Sequence, residues 1–309
     1  MIDITIIIVT WNCRQYVMDC LASIYRHQVS CSFEIIVVDN NSSDGSVMAV
    51  QNTYPAVKII QNKNNVGFAA ANNLAIKNSQ SRYIFLLNPD TLIHENTLDC
   101  MLEFINNHNS VGAVGPKIIN ADGSIQYTGM RFPNIRNMIY ETLFLDRVFL
   151  HSKIFGNHKM LYEDFNTPFP VDYTQGSALM IRRSVLDGSG LLDERYFMYF
   201  EETDLCFFIK KLGYEVFYFP GARATHFGGE ERGHFSERRL LHYHKSLFQF
   251  YRKNYLSKNL LLLRIVIFIR SSIRIFLWSG ILLFKPSSAK NTFSILKGYL
   301  KTLRLIFTA

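Results

Sequence analysis

The sequence has no CxxC pair among its five cysteines (Cys13, Cys20, Cys31, Cys100, Cys206), no GxGxxG, no GxxxxGK[ST] and no aspartate or glutamate after residue 237. Each absence removes a class. Scattered cysteines leave no structural zinc framework and suit a reducing compartment. Lack of the first glycine pattern disfavours a nicotinamide dehydrogenase, and lack of the second a P-loop kinase or ATPase. The N-terminus does not read as a signal peptide: Asp3 interrupts it, and ITIIIVT is short and β-branched, as in a strand. The acid-free stretch makes the net charge of +8 a sum of two unlike parts. Residues 238–309 hold 14 of the 33 Lys and Arg, whereas residues 1–237 hold the other 19 and all 25 acids, a net of −6. An acidic or neutral body with a wholly cationic tail is expected, divided near residue 238. With 309 residues, 48% of them hydrophobic, the chain can build one large or two modest domains with a full core.

Apolar runs at 4–9, 33–38, 57–60 and 83–87 read as strands buried on both faces, with helices near 15–27, 44–53 and 67–79 between them. That alternation predicts parallel βαβ units, whose ligands sit beyond the C-terminal strand ends. Every one of these strands ends in polar residues: Thr10-Trp11-Asn12, Asp39-Asn40-Asn41, residues 62–65, and Asn88-Pro89-Asp90. Four such ends can converge on one crevice, although Asn, Asp and Ser also make ordinary turns and caps. Asn65-Val66-Gly67 opens a helix, FAAANNLAIKN. Gly67 would let backbone approach a ligand and the helix N-terminus would favour an anion; a plain turn fits equally.

Three later stretches stand out. Glu201-Glu202-Thr203-Asp204 starts a helix with Leu205, Phe208, Ile209 and Leu212 on one face and Gly213 as its C-terminal cap. Acids suit a first helical turn because of the dipole, yet the aromatic run YFMYF leads directly into them. His226 follows a strand at 215–219 and Pro220-Gly221, and precedes Phe227-Gly228-Gly229, a loop able to fold over a site; a lone histidine is more often structural. In TQGSALMIRR, Gly176 and Ser177 form either a site or a turn into a strand at 178–181.

Taken together, VTWN, VVDNNSSDGS, NNVGFAAANN, LLNPDT and YFMYFEETDLCFFIKKLGYEVFYFPGARATHFGG resemble glycosyltransferase family 2 over about residues 3–255. The resemblance is nearest to bacterial rhamnosyltransferase-like members that build surface polysaccharides of the O-antigen or capsule type. It implies an α/β GT-A fold, a Rossmann-like nucleotide-diphospho-sugar transferase domain. It also implies a nucleotide-sugar donor, a divalent cation (Mn2+ or Mg2+) and an inverting transfer. The favoured reading is rhamnose from dTDP-rhamnose, passed to a lipid-linked glycan at the cytoplasmic face of the bacterial inner membrane; a UDP-hexose is the alternative donor. The domain expected is 1–237, with a nucleotide-sugar half about 1–120 and an acceptor half about 121–237. Residues 238–309 would be a basic amphipathic helical extension.

By the same resemblance, Thr10 and Asn12 match the base-contacting strand end, Asp39 the acid that reads the nucleoside, and Asn65 and Gly67 the segment along the nucleotide. Asn88 and Asp90 match the DxD-type motif, with Asn88 departing from it. Asp90 is then the direct metal ligand, and Asn88 bonds the ribose or a metal-bound water. Gly176 and Ser177 match the acceptor-side segment. The base position falls on Glu202, where Asp is usual, with Glu201 second and Asp204 capping or orienting. His226 matches a histidine that ligates the metal, so that it would supply the ligand Asn88 cannot. Imidazole with carboxylate suits Mn2+, whereas Mg2+ prefers oxygen.

Residues 259–284 are apolar but divided by Arg264, Arg270 and Arg274, leaving 275–284 as the longest uncharged run, too short to span a bilayer. Arginine at a bilayer centre costs about 2.5–3.5 kcal/mol on insertion scales. Interfacial helices on an anionic membrane surface are expected, continuing through 289–307 with Lys290, Lys297, Lys301 and Arg304. A homo-oligomer interface is the rival. Nucleic-acid binding is disfavoured because bulky aliphatics interleave the basic residues. A processive synthase would need spanning helices and a QxxRW motif, and the only tryptophans are Trp11 and Trp278. A non-catalytic nucleotide-sugar or membrane scaffold is the remaining alternative.

Overall fold

The computed structural model describes residues 2–228, 237–284 and 289–308. In chain order the elements are β1 (Ile4–Thr10), α1 (Arg14–Arg26), β2 (Phe33–Asp39), α2 (Ser46–Thr53), β3 (Lys58–Gln61), α3 (Phe68–Lys77), β4 (Tyr83–Leu87), β5 (Thr91–Ile93), α4 (Thr97–Asn107), β6 (Val111–Ile119), β7 (Ile125–Gln126) and β8 (Gly129–Met130). They continue as α5 (Ile135–Thr142), α6 (Leu145–Val148), β9 (Phe169–Val171), β10 (Tyr173–Thr174), β11 (Ala178–Arg182), α7 (Arg183–Ser189), α8 (Glu201–Lys211), β12 (Glu215–His226), α9 (Glu237–Asn254), α10 (Ser257–Phe284) and α11 (Ala289–Thr308). The expected strands and helices up to residue 87 are present, with ends moved by a residue or two.

The chain divides into two compact units. The first comprises Met1–Phe132, Lys159–Phe197 and Glu201–Phe227. Its main sheet runs β3-β2-β1-β4-β11-β6-β12-β5. β3, β2, β1 and β4 are parallel, as continuous apolar runs demand; β11 then enters antiparallel to both β4 and β6. The period of two along each strand splits the core. Ile4, Ile6 and Ile8 face Val17, Leu21 and Ile24 of α1 and Leu98 and Met101 of α4. Ile7 and Val9 face Ala69 and Ala75 of α3 on the other side, in the layer shared with Leu205 and Ile209 of α8.

Two local features position the site. α8 ends as its sequence predicts: Gly213 has φ +87°, its N–H donates to Lys210 O, and Tyr214 N–H donates to Ile209 O. β12, expected to stop at residue 219, instead runs on to His226. A register shift against β6 between Phe219 and Arg223 absorbs Pro220-Gly221 as an irregularity. The extended strand then reaches β5 and pairs with it antiparallel, His226 opposite Thr91.

The second unit comprises Pro133–His158, Met198–Phe200 and Gly228–Ala309, so residues 133–158 join the helices of the tail. Gly298 of α11 allows close packing on α9: a methyl group there would lie 2.8 Å from Leu240 Cδ1. Arg264, Arg270 and Arg274 do not interrupt α10. Arg270 Nη1 meets Glu141 Oε2 of α5 at 3.2 Å, and Glu141 Oε1 meets His158 Nδ1 at 2.5 Å. Burial beside Arg270 lowers the His244 pKa to about 4. Among the described residues, no helix is long and apolar enough to cross a membrane. Lys285 and Gly229 lie outside the described residues.

Candidate active site

The first three parallel strands end side by side, Thr10 opposite Asp39 and Asp39 opposite Gln61. Their loops interlock. Ser43 N–H donates to Asn12 Oδ1 (2.8 Å), Asn12 N–H to Ser42 Oγ (2.9 Å) and Arg14 N–H to Asp44 Oδ2 (2.8 Å). Asn62 Nδ2 donates to Asn40 Oδ1, and Asn40 Nδ2 to Gly67 O. The Thr10 hydroxyl lies against Cys13 Sγ at 3.1 Å. Much of this polar content therefore builds the loops themselves. Asp39 is different. It is 3% exposed; Oδ2 accepts from Ser42 N–H at 3.0 Å, but Oδ1 is buried with no partner among the described residues. An unpaired buried acceptor costs about 1–3 kcal/mol, so an N–H on a ligand would be stabilised there.

Asn65 Oδ1 accepts the Gly67 N–H at 3.0 Å, an Asx turn into α3. Gly67 has φ +87°, and a methyl group on it would lie 2.6 Å from Phe197 O. Phe68 N–H donates to that same carbonyl at 3.0 Å. The close approach that Gly67 permits is thus made by the chain's own 192–197 segment, which also caps the start of α3. Asn73 holds that segment from within α3, its amide bonded to Leu192 N–H and O and to Glu194.

Asn88 and Asp90 sit between β4 and β5. Asn88 N–H donates to Ser177 O at 3.0 Å. β5 begins at the residue after Asp90, and its partner in the β5–β12 ladder ends at His226. Phe227 N–H extends the ladder by donating to Asp90 O at 2.9 Å. Strand pairing therefore closes a sequence gap of 136 residues, and Asp90 Oδ1 lies 3.3 Å from His226 Nε2, both side chains largely buried.

Gln126, which drew no attention in the sequence, sets the chemistry of this pair. Its Nε2 donates to Asn120 Oδ1 (2.7 Å) and to His226 O (3.2 Å). The amide nitrogen being so engaged, Oε1 is the acceptor facing His226 Nδ1 at 2.9 Å. Nδ1 then carries a hydrogen, and Nε2 faces the Asp90 carboxylate. An imidazole and a carboxylate side by side make either an ion pair or two ligands for one cation, and an imidazole whose second nitrogen donates outward is the usual form of a metal-bound histidine. The donor set suits a transition metal such as Mn2+ better than Mg2+. Among the described residues, no group of three His, Cys, Asp or Glu gathers here or elsewhere. Gln126 lies in a two-residue strand within SIQYTG, whose pattern carries no motif.

The acids form the other pole. Tyr199 and Phe200 have φ +69° and +71°, backbone strain of about 1–3 kcal/mol each immediately before α8. Glu201 is 6% exposed and Asp204 is buried. Tyr196 Oη donates to Asp204 Oδ1 at 3.3 Å, which ties Asp204 down. Burial raises the pKa of both Glu201 and Glu202; the Glu202 charge adds to the rise for Glu201. Backbone N–H groups of Glu202, Thr203 and Gly176 donate to the Glu202 carboxylate and oppose its rise, whereas Glu201 has only its own. Burial thus pushes both carboxyls toward the protonated form, with more backbone N–H groups opposing the rise at Glu202 than at Glu201. Oε2 of each glutamate is buried without a partner among the described residues.

Gly176 and Ser177 link the two poles. Gly176 lies against the Glu202 side chain, so that a methyl group on it would be 3.5 Å from Cγ; Ser177 O receives Asn88 N–H, and Ser177 Oγ is buried without a partner among the described residues.

The family model for glycosyl transferase family 2 matches residues 5–188, ending before the acids of α8 and before His226. Over 235 residues the chain is 27% identical to the N-acetylglucosaminyl-diphospho-decaprenol L-rhamnosyltransferase of Mycobacterium tuberculosis, covering 70% of this chain and 73% of that protein. In three dimensions it resembles the mannosyltransferase PcManGT from Pyrobaculum calidifontis, solved with GDP-Man and Mn2+: TM-score 0.58, 16% identity, 98% of this chain and 86% of that one. It also resembles GalNAc-T7 solved with UDP, GalNAc and Mn2+: TM-score 0.58, 14% identity, 82% of this chain and 48% of that one, so that it spans about half the length of that protein.

Proposed function

The chain belongs to glycosyltransferase family 2 and has the GT-A fold with added C-terminal helices, and on that premise we propose that it moves rhamnose from dTDP-rhamnose to a lipid-linked glycan, with inversion, in the assembly of a surface polysaccharide. The name of the mycobacterial relative supports the sugar and the lipid-linked acceptor. Asp39, with one buried oxygen unpaired, suits the imide N–H of a thymine or uracil base, so a UDP-hexose is the alternative donor. The observation that carries the catalytic reading is the contact of Asp90 with His226, held by the β5–β12 ladder and by Gln126.

Asp90 and His226 would hold a divalent cation. Such a cation stabilises the departing diphosphate as a Lewis acid, so that no general acid is required. Thr10, Asn12 and Asp39 would hold the nucleoside, with Asn65 and Gly67 shaping the wall along it and Asn88 bonding the ribose. Glu202, ionised and aimed past Gly176, would take the proton of the acceptor hydroxyl. As that O–H bond breaks, the oxygen bonds to the anomeric carbon and the bond from that carbon to the phosphate oxygen breaks. Glu201, whose carboxyl burial and the Glu202 charge both push toward the protonated form, would keep a second charge from the site. A non-catalytic scaffold would have no use for two adjacent buried carboxyls, which are costly to keep. The second unit would rest on an anionic membrane at the cytoplasmic face.

The test is a donor panel with and without Mn2+, read as thermal stabilisation, followed by transfer to a lipid-linked acceptor. Stabilisation by dTDP-rhamnose that depends on Mn2+, with product formed, is expected. Stabilisation only by UDP-hexoses would replace the donor, and equal stabilisation in chelator would remove the cation.

A further inference from the structure

Resting on the reading that the second unit lies on an anionic bilayer, we infer that residues 143–154, which lie outside the cationic tail, form a second membrane-contact element beside α10. This segment exposes what a soluble surface loop hides. Val148 is 70% exposed, and Leu143, Phe149, Leu150 and Ile154 are exposed with it. The solvent-facing run Arg147-Val148-Phe149-Leu150-His151 alternates no acid with its apolar residues, and Lys153 follows. The segment's one acid, Asp146, is buried, and Glu141 just before it is taken up by Arg270 and His158. The remaining acid among the unit's described residues, Glu237, pairs with Lys301.

The unit as a whole has the matching charge. Its residues 133–158, 198–200 and 228–309 contain 18 Lys and Arg against 5 Asp and Glu, a net of +13. The segment is fastened to α10 through the Phe144 ring, which carries the Arg274 guanidinium at 4.3 Å, and the end of α5 just before it through Glu141 to Arg270. α10 itself turns Leu261, Ile265, Phe268, Ile269 and Phe276 outward, at helical spacing. Exposed aliphatics interleaved with exposed cations suit a lipid interface, where side chains enter the acyl boundary and Arg and Lys meet headgroups. A protein partner fits less well, because interface cores are depleted of charge.

The full chain is tested for partition onto vesicles of phosphatidylcholine alone and of phosphatidylcholine with phosphatidylglycerol. Val148→Asp/Phe149→Asp is expected to weaken partition onto the anionic vesicles by roughly tenfold or more, with circular dichroism unchanged; the conservative Phe149→Leu is expected to retain it. Val148→Trp is expected to blue-shift and to be quenched by brominated lipid on anionic vesicles. Loss of partition in Phe268→Asp/Phe276→Asp but not in the Val148/Phe149 variant overturns the second element and leaves the membrane reading in place. A wild-type chain that ignores both vesicles overturns both. Concentration-dependent self-association that the Val148/Phe149 variant abolishes, without any change on vesicles, assigns the patch to a second copy and also overturns the inference.

Discussion

Gln126→Leu removes one acceptor and leaves Asp90 and His226 themselves unchanged. In the native chain, Gln126 Oε1 accepts from His226 Nδ1 at 2.9 Å while its Nε2 is held by Asn120 and the His226 carbonyl. The arrangement both orients the ring and places its hydrogen on Nδ1. Leucine fills nearly the same volume but accepts nothing, so the ring can turn, and its hydrogen can move to Nε2, the atom facing Asp90 at 3.3 Å. Loss of such an outer partner costs about 10–100-fold in metal affinity, or about 1.4–2.7 kcal/mol. Titration calorimetry with Mn2+, on the chain with bound dTDP, is the assay. Gln126→Glu, which restores an acceptor, should hold within a few-fold of wild type or bind more tightly, a recovery that a merely structural role would not show. Nitrogen NMR of His226 should report hydrogen on Nδ1 in the wild type and not in the leucine variant. Wild-type affinity in Gln126→Leu, with loss in His226→Ala, would refute the positioning argument; wild-type affinity in both would remove His226 from the metal.

Other outcomes follow from the same geometry. Glu202→Gln should retain donor binding and lose about 10²–10⁴-fold in turnover; unchanged turnover moves the base to Glu201 or elsewhere. Because burial raises the Glu202 pKa, the acid limb of the wild-type rate profile should lie above the ordinary glutamate range, and a limb within that range would contradict this. Burial and the Glu202 charge raise the Glu201 pKa, so its stability contribution is full below the unfolded value and is lost as pH rises through the folded one. Glu201→Gln should therefore match wild type in acid and gain in melting temperature as pH rises; a gain that shrinks with pH would be the wrong sign. Gly67→Ala forces a side chain into φ +87° with its methyl 2.6 Å from Phe197 O, a cost of about 3 kcal/mol. A urea-unfolding change below about 0.5 kcal/mol would show that the 192–197 segment yields freely.

Composition and periodicity are local, and what they encode was legible. Runs such as ITIIIVT bury both faces wherever they go, so β1, β2 and β4 and the helices between them could be read directly. The acids, aromatics and glycine of 196–213 likewise specify α8 and its cap. The tail's charge bias marked a boundary, but not that 133–158 join the same helical unit, since Glu141 and Arg270 are 129 residues apart and meet only in the folded chain. Pro220-Gly221 read as the end of a strand because turns favour those residues; pairing with β6 on either side overrides that preference and carries β12 to His226. What the linear chain determined was a set of candidate side chains: Asp90, His226, Glu201, Glu202. The resemblance joined Asp90 to His226 as an expectation; what brings the two side chains into contact was decided by tertiary structure. Antiparallel register between β5 and β12 sets Asp90 against His226, a short strand of no distinctive sequence brings Gln126 to the far side of the ring, and burial raises the pKa of two adjacent glutamates beside Gly176. Register and burial arise from contacts remote in sequence, and no local pattern records them.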